Sequence, residues 1–127
     1  MQKKHDAILK NKRNNKSMPL NIEVCDTFHS RARGLMFRKK AVPLLFEFDT
    51  PARHAIHSFF VLFEFDAIYL DENWKVVDIF EHIQSFCPFI SPTSHVKYLL
   101  ELPCGMIKKV SAKKGDEIKI TWGKWHG

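Results

Sequence analysis

Apolar residues recur at every second position in several short segments, and this pattern limits the fold of the chain more than any other feature. A period of two places alternate side chains on opposite faces of a β-strand. Between two of the apolar runs, Asp71-Glu72-Asn73 supplies the turn residues of a predicted hairpin. The predicted strands are 7–9, 20–25, 44–48, 59–70, 74–80, 98–102 and 117–122. So many short strands predict a mainly β, small single-domain sandwich or barrel with one or two short helices.

The helical signals are few and short. Asp26 or Thr27 is a suitable N-cap for a helix over 28–33, and Gly34 supplies a left-handed residue to end it. A second helical turn is predicted within 105–112. Pro51 is expected to break the chain after the strand at 44–48. Residues 82–97 contain two prolines and are predicted to form a long irregular loop, a kind of segment that often carries function.

The positive charge of the chain is concentrated at its N-terminus. The formal net charge is +6, and six of the 20 basic residues lie within the first 17 positions beside a single acidic residue. We therefore divide the chain into a basic N-terminal hairpin arm, 1–19, and a mainly β domain, 20–127. Such an arm attracts phosphates, and its candidate nucleic-acid contacts are Lys10, Lys12, Arg13 and Lys16. Because no aromatic residues are interleaved for base stacking, a solvated loop is favoured and nucleic-acid binding is unlikely.

The cysteines and the hydrophobic segments indicate a cytoplasmic protein. The three cysteines, Cys25, Cys87 and Cys104, show no C-x-x-C spacing, which argues against a disulfide framework and against a cysteine zinc site. Thiols of this kind suit a reducing compartment. The longest purely apolar run, 59–63, is too short to span a bilayer, and the N-terminus lacks the apolar stretch of a signal peptide. Most of the eleven phenylalanines are expected to be buried.

Four motifs in order resemble the domain-of-unknown-function 192 family. The matching residues are Arg31, Gly34, Leu35, Met36 and Arg38 in the first motif, Asp66 in the second, Leu100, Glu101, Leu102 and Gly105 in the third, and Gly115 and Asp116 in the last. The resemblance covers about residues 22–121 and implies a compact, mainly β domain of the sandwich type. It implies no reaction. The family often has Trp-Met-Lys-Asn-Thr where this chain has residues 57–61, so His57 is a candidate local substitute for those polar groups.

Asp66 is the residue on which the predicted site depends. It lies in an otherwise apolar run, where strand parity places it on one face with Ile68 and Leu70. A buried carboxylate needs a cationic partner or several hydrogen-bond donors. We predict an ion pair between Asp66 and Arg31 or Arg38, because a guanidinium can bind a carboxylate through two parallel hydrogen bonds. This pair either pins the helix to the sheet or forms one wall of a polar pocket.

Three functions remain open. The first is a non-enzymatic binding module for a small anionic ligand or a peptide, with Arg31, Arg38, His57, Asp66 and Glu101 as candidate ligand contacts. The second is a small hydrolase using Asp66 and Glu101, or His57 with a carboxylate, which requires the chosen groups to lie close together in a cleft. The third is nucleic-acid or anionic-surface binding through the N-terminal arm. No metal site or cofactor is predicted, because His54 and His57 would lie on opposite faces of a strand. Catalysis by Cys87 or Cys104 is disfavoured, since no dyad spacing is present.

Overall fold

Seven strands and two short helices make up the described part of the chain. The computed structural model describes residues 4–123, without the side chains of residues 28 and 29, so both ends of the predicted domains lie outside it. The strands are β1 (Lys4–Asn11), β2 (Ser17–Cys25), β3 (Leu44–Ala52), β4 (Phe65–Leu70), β5 (Val76–Ile83), β6 (Val96–Pro103) and β7 (Ile118–Trp122), and the helices are α1 (Phe28–Arg33) and α2 (Ile107–Val110). Neither described helix has the length and apolar character needed to cross a bilayer.

All seven strands belong to one sheet that curls into a half-barrel. The strand order is β5-β4-β6-β3-β2-β1-β7. Only the β2–β3 pair is parallel among the described strands, and the other neighbours are antiparallel. The two edges approach each other through a bridge between Lys75, just before β5, and Glu117, just before β7. The prediction of a mainly β single domain with short helices is confirmed.

Each face of the curled sheet carries its own apolar core. Every residue of β4 is buried, because the sheet is covered on both sides at this strand. One core lies on the face of Ile68 and Leu70 and includes most of the buried apolar residues of β1 and β2. The other lies on the face of Phe65 and Tyr69, and the α1 region and the segments before β4 and after β5 cover it. Strand parity therefore decides which of two interiors a β4 or β6 side chain enters.

The structure corrects several local predictions. Residues 59–64 do not continue β4; a turn at 59–60 is followed by an irregular segment, and Phe60 has a φ of +63°. Pro51 does not end β3, which continues through a shift of register to Ala52, an irregularity where a proline is tolerated. The prediction that most of the eleven phenylalanines are buried fails for five of them. These five are exposed, because they lie on loops and turns rather than on strands. These are Phe37, Phe59, Phe60, Phe86 and Phe89.

The basic turn between β1 and β2 is fastened to the turn that precedes β7. Asn11 and Arg13 donate hydrogen bonds of 2.9 and 2.7 Å to the buried carboxylate of Asp116. Lys12 pairs with Glu117 at 3.0 Å, and the Lys16 ammonium donates to the Ser111 hydroxyl at 3.0 Å. β1 also pairs along its length with β7. Three of the four basic candidates for nucleic-acid contact thus bind partners within the chain, while the division at residue 19 stays a prediction.

Replacing Asp116 by asparagine is expected to weaken this junction. Burial alone would raise the pKa of Asp116, but hydrogen bonds from Arg13, Asn11 and the Lys113 amide lower it below its usual range. A lowered folded-state pKa adds stability above the unfolded-state pKa of about 4 and loses it as pH falls through the folded value. We expect Asp116→Asn to cost about 1–3 kcal/mol at pH 7.

The measurement is urea-induced unfolding of both proteins at pH 7 and at pH 2. The difference between them should shrink at pH 2, where the wild-type carboxyl is also losing its charge. Asp49→Asn is the matched control, because Asp49 has a side chain that is 83% exposed. An Asp116→Asn penalty that is absent at pH 7, or equal to that of the control, would contradict the expected role.

Candidate functional site

A small pocket opens on the face of the sheet that α1 covers. Its volume is about 180 Å³. Most of the lining residues are apolar, and two guanidinium groups, one imidazole and one carboxyl add polar side-chain atoms to the wall. The lining residues are Arg31, Ala32, Arg33, Gly34, Leu35, Met36, Phe46, Ala55, Ile56, His57, Val61, Phe65 and Glu101. The pocket thus brings together three of the five predicted ligand contacts, Arg31, His57 and Glu101.

Glu101 is the buried polar group of this pocket. It lies on β6, opposite Ala67 of β4, and is 5% exposed. Its Oε1 atom is buried and has no hydrogen-bond partner among the residues that the structure describes. Burial raises the pKa of Glu101 to about 8, although the positive charge of Arg38 opposes the shift. The carboxyl group is therefore mostly protonated at neutral pH and carries a proton that it can donate.

The arginines of the first motif are tied to the scaffold. Arg38 holds Glu23 with two hydrogen bonds of 2.9 and 3.3 Å and also donates to the Gly34 carbonyl at 3.0 Å. Arg31 donates to the Asp26 carbonyl at 2.8 Å and pairs with Asp49 at 3.3 Å. The two arginines therefore fix the turn after α1 against β2 and β3, and Arg38 is not among the pocket-lining residues.

Local sequence explains the shape of the α1 turn. Thr27 forms a capping box with Ser30, which selects one of the two predicted N-caps. Gly34 ends the helix with a φ of +48° and a ψ of −126°, a combination outside the predicted left-handed helical region and open chiefly to glycine. A Cβ atom at this position would lie 3.2 Å from the Phe46 ring and 3.8 Å from Glu101 Oε1. The glycine thus lets the backbone pack closely against the Phe46 ring.

The predicted ion pair between Asp66 and an arginine is wrong. Asp66 is fully buried, and its carboxylate accepts hydrogen bonds from three backbone amides instead. The donors are His82 at 3.0 Å, Gly105 at 2.9 Å and Ile107 at 3.4 Å. Multiple amide donors satisfy a buried carboxylate as a cation would. The prediction failed because these donors lie in β5 and in the turn after β6, which sequence spacing does not bring together.

Asp66 and Glu101 lie on opposite faces of the sheet. Asp66 faces Leu102 across the β4–β6 pair and shares its face with Ile68, as strand parity predicted. Glu101 faces Ala67 and shares the other face. Asp66 is also absent from the pocket wall. The two carboxyl groups therefore do not form the close acid–base pair that the hydrolase hypothesis requires.

The two histidines of the H-x-x-H segment have separate surroundings. The His54 ring stacks on Phe48 with 3.9 Å between centroids and contacts the Thr50 carbonyl at 2.8 Å. His57 accepts a hydrogen bond from the Phe59 amide at its Nδ1 atom. It is exposed at the pocket rim, where its other ring nitrogen is available for a ligand.

The sequence reasoning missed a cluster of three ionisable side chains at one end of the sheet. The Cys104 sulfur lies 2.7 Å from His82 Nδ1 and 3.8 Å from Glu64 Oε1. The His82 and Glu64 atoms lie 3.3 Å apart. Partial burial, followed by the negative charges of Asp66 and Glu64, raises the pKa of the Cys104 thiol. Sequence spacing did not reveal this cluster, because His82 is closer in sequence to Cys87, whereas the folded sheet brings it to Cys104.

Replacing Asp66 by asparagine is expected to destabilise the protein by about 2–4 kcal/mol, because an amide nitrogen would then face a buried N–H donor. Urea-induced unfolding at pH 7 measures the change. Glu72→Gln, at an exposed turn position, is the control and should change stability by less than about 0.5 kcal/mol. An Asp66 variant as stable as the control would mean that the three amides need no carboxylate.

Replacing Glu101 by glutamine is expected to stabilise the protein increasingly with pH. Since the pKa of Glu101 is raised to about 8 in the folded state, the folded chain retains a proton that the unfolded chain releases above about pH 4.5. Wild-type stability should therefore fall across this window, by at most about 1.4 kcal/mol per pH unit, and level off above pH 8. Glutamine does not titrate.

Thermal unfolding of wild type and Glu101→Gln from pH 5 to pH 9 tests this expectation. The advantage of glutamine should grow up to about pH 8 and then remain constant. Glu117→Gln is the control, because the Glu117 side chain is 44% exposed and pairs with Lys12 at the surface. A pH-independent difference for Glu101→Gln would show that the wild-type carboxyl is already ionised at neutral pH.

The fold is similar to those of two proteins of known structure. One from Sinorhizobium meliloti superimposes with a TM-score of 0.84 at 20% identity and covers 93% of this chain and 94% of its own. A protein of unknown function from Novosphingobium aromaticivorans superimposes with a TM-score of 0.79 at 17% identity. The match covers 90% of this chain and 83% of that protein. At these identities the likeness establishes the fold alone.

Comparison of sequences gives closer relatives. A UPF0127 protein from Pyrococcus horikoshii is 34% identical over 111 residues, which cover 86% of this chain and 95% of the relative. A UPF0127 protein from Thermococcus sibiricus is 34% identical over 114 residues, which cover 87% of this chain and 73% of the relative. The profile of the DUF192 family, described as uncharacterized ACR, matches residues 9–120. The chain therefore belongs to the DUF192 family.

Proposed function

We propose that this protein is a non-enzymatic binding module that holds a small carboxylate ligand, or the carboxylate end of a peptide, in the pocket beside α1. The observation that carries this proposal is the buried Oε1 atom of Glu101, which lacks a hydrogen-bond partner among the described residues. Buried polar atoms are nearly always satisfied in folded proteins. A ligand atom entering the pocket would satisfy this one.

The protonation state of Glu101 favours an acceptor on the ligand. With its pKa near 8, the carboxyl group is mainly neutral at pH 7 and can donate its proton in a hydrogen bond. A ligand carboxylate is a strong acceptor for such a donor. A ligand cation would instead favour the ionised form of Glu101, at the cost of burying that charge.

The pocket wall supplies the remaining selectivity. Arg31 and Arg33 contribute positive charge on the α1 side, and exposed His57 adds a polar group at the rim. Leu35, Phe46 and the other apolar side chains favour a hydrocarbon body on the ligand. A volume of about 180 Å³ is slightly larger than a cavity of ~150 Å³ that accommodates benzene. The buried part of the ligand is therefore about as large as one aromatic ring or one peptide side chain.

The two alternative functions have less support. A hydrolase that uses Asp66 with Glu101 and His57 would need Asp66 in the pocket, but its oxygens bind backbone amides on the other face of the sheet. A nucleic-acid binder would need its basic side chains to reach phosphates, and Arg13 is engaged with Asp116. Both alternatives remain predictions.

Benzoate is the probe for the proposed function, because it joins a carboxylate to a single apolar ring. We expect saturable amide chemical-shift changes at Ile56, His57 and Val61 in NMR titrations, with a dissociation constant of about 1 mM for so small a ligand. Binding should weaken above pH 8 by about tenfold per pH unit as Glu101 loses its proton.

Two substitutions at Glu101 separate hydrogen bonding from simple cavity filling. Glu101→Gln retains a donor and should bind benzoate without dependence on pH, whereas Glu101→Leu should bind poorly at every pH. Arg33→Gln should weaken binding moderately, and Glu117→Gln, at a distant surface, should leave it unchanged. Equal affinity of wild type and Glu101→Leu, or shift changes confined to residues outside the pocket, would refute the proposal.

A further inference from the structure

Three different ligating side chains converge where β4, β5 and β6 meet at one end of the sheet. Glu64 directly precedes β4, His82 is near the end of β5, and Cys104 directly follows β6. We propose that Glu64, His82 and Cys104 bind a borderline divalent cation, with Zn²⁺ as the preferred ion. None of the three lines the pocket beside α1, so this site is independent of the function proposed above.

The composition of the cluster selects the type of ion. Thiolate, imidazole and carboxylate together are ligands of zinc, whereas magnesium and calcium prefer sites made of oxygen alone. Three protein ligands leave the fourth tetrahedral position open to water or to another ligand. Cys104 is exposed, and the His82 and Glu64 side chains are 51% and 49% exposed, so an ion can enter from solvent.

The arrangement fits metal binding better than nucleophilic catalysis. In a cysteine–histidine–carboxylate triad, the carboxylate holds the ring nitrogen opposite the one that activates the thiol. Here both Cys104 and Glu64 approach the same nitrogen, His82 Nδ1, at 2.7 and 3.3 Å. The three ligand atoms lie within 4.8 Å of one another, close enough to contact a single ion.

The separations between the ligand atoms are near those of a tetrahedral site. Standard zinc bond lengths place neighbouring ligand atoms about 3.3–3.6 Å apart. The His82–Glu64 separation of 3.3 Å lies at the lower end of this range, and the Cys104–Glu64 separation of 3.8 Å exceeds it by about 0.2 Å. The Cys104 sulfur and His82 nitrogen must move apart by about 0.9 Å from their 2.7 Å separation. Because the His82 side chain is 51% exposed, we expect its rotation to provide this movement.

The buried carboxylate of Asp66 positions two of the three ligands. It accepts the His82 amide at 3.0 Å through one oxygen and the Gly105 amide at 2.9 Å through the other. His82 lies at a register shift between β4 and β5 and has a φ of +56°. Bulges of this kind redirect a side chain. The chain thus holds its histidine and cysteine backbones on a common rigid anchor.

Zinc and cobalt titrations of the tag-free, metal-stripped full-length chain test the proposal. We expect one Zn²⁺ per chain by calorimetry, and with Co²⁺ a near-ultraviolet charge-transfer band from a thiolate ligand. Cys104→Ser and His82→Asn should lower the Zn²⁺ affinity by about 100-fold or more, and Glu64→Gln by about tenfold. Even the loss of a group that only supports a metal ligand lowers metal affinity by ~10–100-fold. Asparagine is chosen at position 82 because it tolerates the positive φ.

The matched controls are Cys87→Ser and Glu81→Gln, which should bind as wild type does. If a cluster variant does not fold, the wild type still gives an answer: Zn²⁺ should slow the alkylation of Cys104, read by mass spectrometry, without slowing that of Cys87. The proposal is overturned if Zn²⁺ binding survives Cys104→Ser unchanged, if the cobalt band is lost with Cys87→Ser instead, or if Cys104 gains no protection.

Discussion

The buried carboxylate of Asp66 is the interaction on which the arrangement of this end of the fold depends. It links the bulge at His82 in β5 and the turn at Gly105 after β6 to the strand between them. A fully buried carboxylate is costly unless several donors surround it, and here the donors are backbone amides. Because both bound segments are irregular, the carboxylate supplies the hydrogen bonds that a regular ladder would otherwise provide.

The two faces of β4 and β6 give the protein two separate chemical environments. Asp66 is directed to one interior, where its charge is satisfied by the chain itself. Glu101 is directed to the other, where its buried Oε1 atom has no hydrogen-bond partner among the described residues. Backbone amides satisfy Asp66 in one interior, whereas burial raises the pKa of Glu101 to about 8 in the other, which separates a structural role from a proposed binding role.

Local signals predicted the regular parts of the fold and failed where distant segments meet. Period-two alternation identified most strands, and the predicted face of Asp66, shared with Ile68 and Leu70, was confirmed. The apolar run at 59–63 was assigned to a strand because composition cannot distinguish a strand from an apolar turn, and Phe60 is exposed. Three of the five candidate ligand contacts line one pocket, but the partners of Asp66 and the neighbour of Cys104 were not found.

The sequence by itself determined the mainly β class, the faces of the strands and the glycine turn after α1, because these follow from spacing and backbone sterics within a few residues. Tertiary structure alone decided that Asp66 is satisfied by amides, that Glu101 is buried in a pocket and that His82 meets Cys104. These outcomes depend on strand order and register; the contacts of Asp66 alone join residues 16 to 41 positions apart. No local pattern encodes which strands become neighbours in the curled sheet.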